Sequence, residues 1–102
     1  MKNIIAAVFL IASWERFSDG GKIAANGHPF NPKSFSCATW LWPVGTRLHV
    51  IDRHNHLSVD VTVTDRPARR FTNRIDLSPA AFEKLNGLAK GVCDVSVTVL
   101  PK

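Results

Sequence analysis

The clearest regularity in this chain is a two-residue alternation that stops and resumes. From Thr46 onward, Leu48 and Val50 point one way and Arg47 and His49 the other, the period of a half-buried strand. A polar stretch, Asp52 to His56 (DRHNH), interrupts the pattern. Leu57, Val59, Val61 and Val63 then share a face opposite Ser58, Asp60 and Thr62. Two alternating runs about a short polar turn predict a β-hairpin. Val92 to Leu100 predicts a final strand, with Cys93, Val95, Val97 and Val99 inward against Asp94, Ser96 and Thr98. Before it, Ser78-Pro79 marks a helix start: serine caps free amides, and proline fills the first position, where no amide is needed. That helix is expected from Pro79 to Leu85, ended by Asn86-Gly87. Gly20-Gly21, Asn26-Gly27 and Asn31-Pro32 punctuate residues 18–35 as loop, and Pro43 and Gly45 bracket another turn. Short strands with one short helix predict a mainly β fold, a small barrel covered by that helix.

The apolar run Ile4 to Ala12 admits two readings. With Lys2 before it and small residues after it, segment 1–12 has the outline of a short secretory signal, and export to the periplasm or cell exterior is the favoured expectation. Its β-branched residues and the lack of an A-x-A site suit a first strand of the fold instead. Nine apolar residues are too few for a stable membrane span. Residues 13–102 then form one domain, long enough for a single core.

Thirteen Lys and Arg against eight Asp and Glu leave a net charge of +5, which favours an anionic partner: nucleic acid, a wall polymer or lipid headgroups. Arg66, Arg69, Arg70 and Arg74 all fall between Asp65 and Asp76, as a solvated loop or as a basic rim to a site. A hydrophobic fraction of 45% excludes a disordered chain. The two cysteines, Cys37 and Cys93, lack C-x-x-C spacing. In an exported chain they would suit one disulfide, worth about 4 kcal/mol in the chain-entropy model; otherwise they are two buried thiols.

Asp65 and Asp76 are the candidate chemical groups. If the pleat continues, Asp65 falls on the inward face with Val63, where an unpaired carboxylate is tolerated only at the mouth of the sheet, beside a groove. Two carboxyls flanking a groove are what glycosidic cleavage requires. The structural alternatives are a charge favouring the helix start, for Asp76, or an ion pair with Arg74. Trp14, Trp40 and Trp42 would stack on sugar rings or fill the core. His28, His49, His54 and His56 show no metal-ligand spacing, and no nucleophile motif or phosphate loop occurs.

Taken together, Ala12-Ser13-Trp14, AANGHPFNP at 24–32, WPVGTRLHV at 42–50, SVDVTVTDR at 58–66, RIDLSPAAF at 74–82 and GVCDVSVTVL at 91–100 resemble the rare lipoprotein A family, a bacterial double-psi β-barrel domain related in fold to expansins and barwin. The resemblance spans Ala12 to Leu100. It implies a six-stranded barrel with one or two short helices, and lytic transglycosylase activity on peptidoglycan glycan strands. It also implies that Asp65 matches the acid of the D-R-G-P motif and Asp76 that of the I-D-L-S motif. Four departures stand out. His28 replaces the Glu of A-N-G-E, Thr39 replaces the His before L-P-F-G-T, Pro67-Ala68 replaces Gly-Pro, and Glu15 follows Trp14 where Tyr-Gly is usual.

The resulting expectation is an exported, monomeric enzyme with Asp65 and Asp76 catalytic: Asp65 protonates the glycosidic oxygen and then takes the proton of the muramic acid C6 hydroxyl, and Asp76 orients or tunes it. Trp14, His28, Thr39, Trp40, Arg66 and Arg69 would hold the glycan, with no metal or organic cofactor, no nucleic acid and no membrane span. The competing expectation, drawn from His28 and Thr39, is a wall-binding or wall-loosening module without catalysis.

Overall fold

A computed structural model describes residues 6–88 and 90–102. Six strands form a closed barrel: β1 (Val8–Trp14), β2 (Ser36–Ala38), β3 (Arg47–Asp52), β4 (Ser58–Asp65), β5 (Arg74–Leu77) and β6 (Cys93–Val99). Around the barrel the order is β1-β5-β2-β4-β3-β6. The β1–β5 and β2–β4 pairs are parallel and the other four antiparallel. The mixed six-stranded barrel matches the expectation. A short 3-10 turn (Phe17–Asp19) and helix α1 (Pro79–Lys84) complete the elements.

Alternation makes the core. Leu48 and Val50 from β3, Val61 and Val63 from β4, and Val95 and Val97 from β6 are buried in one cluster with Ile75 and Leu77 of β5. Closure leaves this sheet without a hydrogen-bonding edge, the usual liability of a β fold. The hairpin is as the alternation predicts, except at Leu57. His56 takes a left-handed conformation (φ 63°), β4 begins one residue later at Ser58, and Leu57 is exposed.

Helix α1 follows its predicted signals. Ser78 Oγ accepts from the Ala81 amide at 3.3 Å, Pro79 opens the helix, and Asn86 ends it in the left-handed region (φ 56°). The same hydroxyl donates to Ser34 O at 2.6 Å, tying the helix start to the loop before β2. Gly87 is required by close packing: a Cβ there would lie 2.7 Å from the Phe82 ring.

Met1 to Ile5 lie outside the described residues. Of the rest of the apolar N-terminal run, Ala6 and Ala7 precede β1 and Val8 to Ala12 are the first five of its seven residues. Ala12 pairs with Ile75 on one side and Cys93 on the other.

The disulfide expectation is corrected: Cys37 and Cys93 are free, buried thiols. Their strands, β2 and β6, stand three places apart in a ring of six, on opposite walls of the barrel. Burial, and then a hydrogen bond with Asp52, pushes the Cys93 thiol up to about 11.

Asp52 sits at the end of β3 rather than in an exposed turn, and it is wholly buried. Its Oδ1 accepts from the amides of His54 at 2.8 Å and Asn55 at 3.0 Å, while Lys90 Nζ reaches Oδ2 at 3.2 Å. Burial works to raise its pKa. The Asn55 and His54 amides, the Cys93 thiol and Lys90 outweigh that and hold it at about 2. The folded carboxyl is therefore more acidic than the unfolded one, so its stabilisation is full above the usual carboxylate range and is lost as pH falls toward 2. Asp52→Asn is expected to cost roughly 1–3 kcal/mol at neutral pH. The loss should shrink below about pH 3, as read from thermal melts of both proteins across that range.

Candidate active site

Strand register builds the site on the outer face of four adjacent strands. On β1, Leu10 and Ala12 point into the core, so Ser13 points out. Ser13 is paired with Asp76 on β5, Asp76 with Ala38 on β2, and Ala38 with Asp65 on β4. The two acids, eleven residues apart in sequence, thus flank a single alanine. Their backbones lie two strand spacings apart, roughly 10 Å.

Asp65 does not continue the inward row of Val63. Cys37 pairs with Val63, yet Ala38 pairs with Asp65, so Thr64 is an extra residue and β4 bulges. A bulge of this kind re-aims the side chains after it. Asp65 therefore joins the face of Ala38 and Asp76 and is half-buried, which corrects the facing expected from simple alternation. Its Oδ1 accepts two amides, from Ala25 at 3.0 Å and Arg66 at 2.9 Å. Asp76 accepts a short hydrogen bond from Ser13 Oγ, and Ser13 Oγ accepts from Arg74 Nη2 at 2.8 Å. The expected Arg74 contact with Asp76 thus runs through Ser13.

Glu15 is the residue the sequence reading did not assign. Its amide donates to Leu77 O at 2.8 Å, extending the β1–β5 pairing, and its parity with Ser13 sets it on the same outer face. Oε1 is buried without a hydrogen-bond partner among the described residues. Burial, followed by the charges of Asp65, Asp76 and Asp19, raises its pKa from 4.5 to about 8. The signal in the sequence was its parity with Ser13 and its place directly after Trp14.

The other assigned residues divide. Trp40 is 40% exposed, and with Arg69 and Thr72 it lines an open cavity of about 280 Å³. Its Nε1 donates to Pro67 O at 2.9 Å. Arg66 is committed to the scaffold: Nη1 donates to Thr39 O and Trp42 O, each at 2.6 Å, and the guanidinium lies 5.5 Å from the Trp40 ring centre. It therefore supports Trp40 rather than reaching out for a ligand. Thr39 is wholly buried, its Oγ1 accepting from the Leu41 amide at 3.2 Å, so it is a loop anchor and not a sugar contact. Trp14 is half-buried and packs against the core, as its inward parity requires. His28 is exposed beside an Asx turn, in which Asn26 Oδ1 accepts the His28 amide at 3.0 Å. The adjoining Asn26 amide donates to Thr64 O at 3.0 Å, so this loop arches over the end of β4.

A larger cavity, about 600 Å³, lies between the β2–β3 loop and residues 99–102, and no carboxylate lines it. Asp65 and Asp76 are both half-buried.

The Glu15 environment has a consequence for stability. The folded protein keeps this proton up to about pH 8, while the unfolded chain releases it near 4.5. Folding therefore takes up a proton between those values, and stability falls as pH rises through that window. Glu15→Gln is expected to flatten this decline and raise stability at pH 8 by on the order of 1–3 kcal/mol, measured by denaturant unfolding at pH 5 and pH 8.

Among the described residues no helix is long and apolar enough to cross a membrane, and no three His, Cys, Asp or Glu side chains are grouped to hold a metal ion. The family model described as "Lytic transglycolase" matches residues 8–97. The chain is 37% identical over 92 residues to a "Probable endolytic peptidoglycan transglycosylase RlpA" of Nostoc sp., covering 88% of this chain and 25% of that protein. It is 32% identical over 90 residues to the "Endolytic peptidoglycan transglycosylase RlpA" of Campylobacter jejuni, covering a third (33%) of it. The chain thus spans only a quarter to a third of these relatives. It is also 39% identical over 80 residues to the "Uncharacterized protein ssl3177" of Synechocystis sp., covering 84% of that protein. Among solved structures, the Streptomyces papain inhibitor superposes with TM-score 0.74 at 24% identity, over 94% of this chain and 96% of that one. The Clavibacter michiganensis expansin gives 0.75 at 21% identity, over 95% and 52%. By sequence and by barrel, this chain belongs to the lytic transglycolase family of RlpA-like double-psi β-barrel domains.

Proposed function

We propose that this domain cleaves peptidoglycan glycan strands by lytic transglycosylation, with Asp65 as a catalytic carboxyl. One observation carries the reading: the register sets Asp65 and Asp76 on one outer face, either side of Ala38. The Trp40 and Arg69 cavity follows along the loops that continue from β2 and β4. The names of the RlpA relatives support the substrate class.

The reaction closes the muramic acid C6 hydroxyl onto C1 and expels the neighbouring sugar oxygen. One proton must be taken from the hydroxyl and one given to the leaving oxygen. Asp65 is suited to proton transfer because two amides fix one oxygen of its carboxyl and hold it in place. Asp76, held through Ser13 and Arg74, sets the field around it. Trp40 offers a ring face for stacking on sugar, and Arg69 a cation for anionic groups on the strand.

The proposal extends to export into the cell envelope, with the mature chain beginning before Val8. Removal through Ala12 would strip five of the seven β1 residues and their bonds to β6.

A second reading, wall binding without bond cleavage, draws support from the buried Thr39, which is withdrawn from the surface. A Clavibacter expansin solved in complex with cellohexaose has the same barrel. Product analysis separates the two. Wild-type protein should release 1,6-anhydro ends from purified glycan strands, and Asp65→Asn should lower that release by at least about 100-fold. Wild-type-level release by the variant would end the Asp65 assignment. Binding to sacculi with no new anhydro ends from the wild type would favour the second reading.

A further inference from the structure

The Trp40 and Arg69 cavity has a neighbour that the proposed function leaves unused. A second open cavity, about 290 Å³, lies against the outer face of β1, lined by Phe9, Ile11, Arg53, Asn73, Arg74 and Asp94. We propose that it is a further glycan-binding site, which takes an acidic sugar residue of the strand beyond the carboxyl row. This deepens the transglycosylase reading and rests on its glycan-strand substrate.

Register places the site. Phe9 and Ile11 alternate with the core residues Leu10 and Ala12, so both side chains face out, 63% and 51% exposed. Ile11 is paired with Arg74 of β5 on one side and with Asp94 of β6 on the other. Arg74 joins the cavity to the acids: it shares the face of Asp76, two residues on, and its Nη2 donates to Ser13 Oγ at 2.8 Å. Asn73 joins it to the Trp40 cavity, which the preceding residue, Thr72, lines. Phe9 stands four residues along β1 from Ser13, about 13 Å. Only a strand several sugars long would touch both.

The lining has the chemistry of a saccharide site. Phe9 offers an aromatic face to sugar C–H groups, while the Asn73 amide and Asp94 carboxylate offer partners to hydroxyls. The Arg53 guanidinium is stacked 4.0 Å from the centre of the Phe9 ring, which holds it at the cavity. Ion pairs among the described residues use Lys22, His49, His54 and Lys90, so Arg53 and Arg74 enter none. Asp94 is already engaged by His54 Nε2 at 3.1 Å. Two guanidiniums against one engaged carboxylate favour an anion, and the planar fork of Arg53 suits the lactyl carboxylate of muramic acid.

The test is calorimetric binding to the intact domain in an Asp65→Asn background, with strand length checked after each titration. The probes are a long peptide-free glycan strand, a tetrasaccharide cut from it, and a neutral chitin oligomer as long as the strand. Phe9→Ser should weaken long-strand binding by about 5-fold and leave the tetrasaccharide within about 2-fold. Arg53→Gln should weaken it by about 10-fold, again sparing the tetrasaccharide. On the neutral oligomer only Phe9→Ser should have an effect. In otherwise wild-type protein both substitutions should raise KM for long strands and keep kcat, the signature of lost binding shared by substrate and transition state. Circular dichroism confirms that each variant is folded. Unchanged long-strand affinity and KM, or equal losses on the tetrasaccharide, would overturn the site and leave the transglycosylase reading intact. An equal loss by Arg53→Gln on the neutral oligomer would overturn the acidic-sugar assignment. Weakened strand binding in the variants, with no anhydro ends from the wild type, would uphold the site and end the transglycosylase reading. A parent protein that binds no strand would overturn both.

Discussion

The pairing of Ala38 with two acids at once is the constraint on which the site depends. β2 contributes only three residues to the barrel, yet it is flanked by β4 and β5 and so fixes where Asp65 and Asp76 stand. The extra residue Thr64 makes the arrangement work. Without that bulge the pleat would carry Asp65 into the apolar interior beside Val63, where an ionised carboxyl is prohibitively costly. With it, the carboxyl turns to the outer face and finds the amides of Ala25 and Arg66. The 24–28 loop is held over β4 by the Ala25 contact and by the Asn26 amide on Thr64 O, so carboxyl and loop support one another.

Gathering Glu15, Asp65 and Asp76 on one face works against folding, because like charges and burial disfavour the ionised form of at least one of them. The closed barrel tolerates this through an inward row that needs no polar partners, and through anchors placed away from the site. Asp52 is the principal one: four partners hold a fully buried carboxylate at the far end of the β3–β4 hairpin, and Asn55 Nδ2 ties the same turn to Leu85 O at 3.0 Å. Asp52 thus stabilises the fold away from the face that gathers Glu15, Asp65 and Asp76.

Local order was legible in the sequence, and register was not. Alternation located the hairpin, the last strand and the inward position of Cys93, because a period of two follows from the pleat alone. Ser78-Pro79 and Asn86 marked the helix because capping is a matter of adjacent residues. Motif order conveyed the barrel. The facing of Asp65 was misread because a bulge is set by the partner strand, which local periodicity does not contain. The cysteine pairing failed for a similar reason: only closure reveals that β2 and β6 are opposite walls. Thr39 was assigned to ligand by its place in a motif and Arg66 as part of the arginine-rich loop, whereas tertiary contacts commit them to the scaffold. Glu15 went unassigned because its parity with Ser13 and its place after Trp14 do not reveal what surrounds its carboxyl. Its unusual character comes first from burial and then from acids fifty and sixty-one residues away.

The account turns on a shared field among these carboxyls, and the most direct measurement is titration of the Glu15 side-chain carboxyl by carbon-13 NMR in wild-type protein and in Asp65→Asn. A midpoint near 8 that moves down when the Asp65 charge is removed, without reaching the ordinary 4.5 because burial remains, is the predicted result. A midpoint near 4.5 in both proteins would contradict the account.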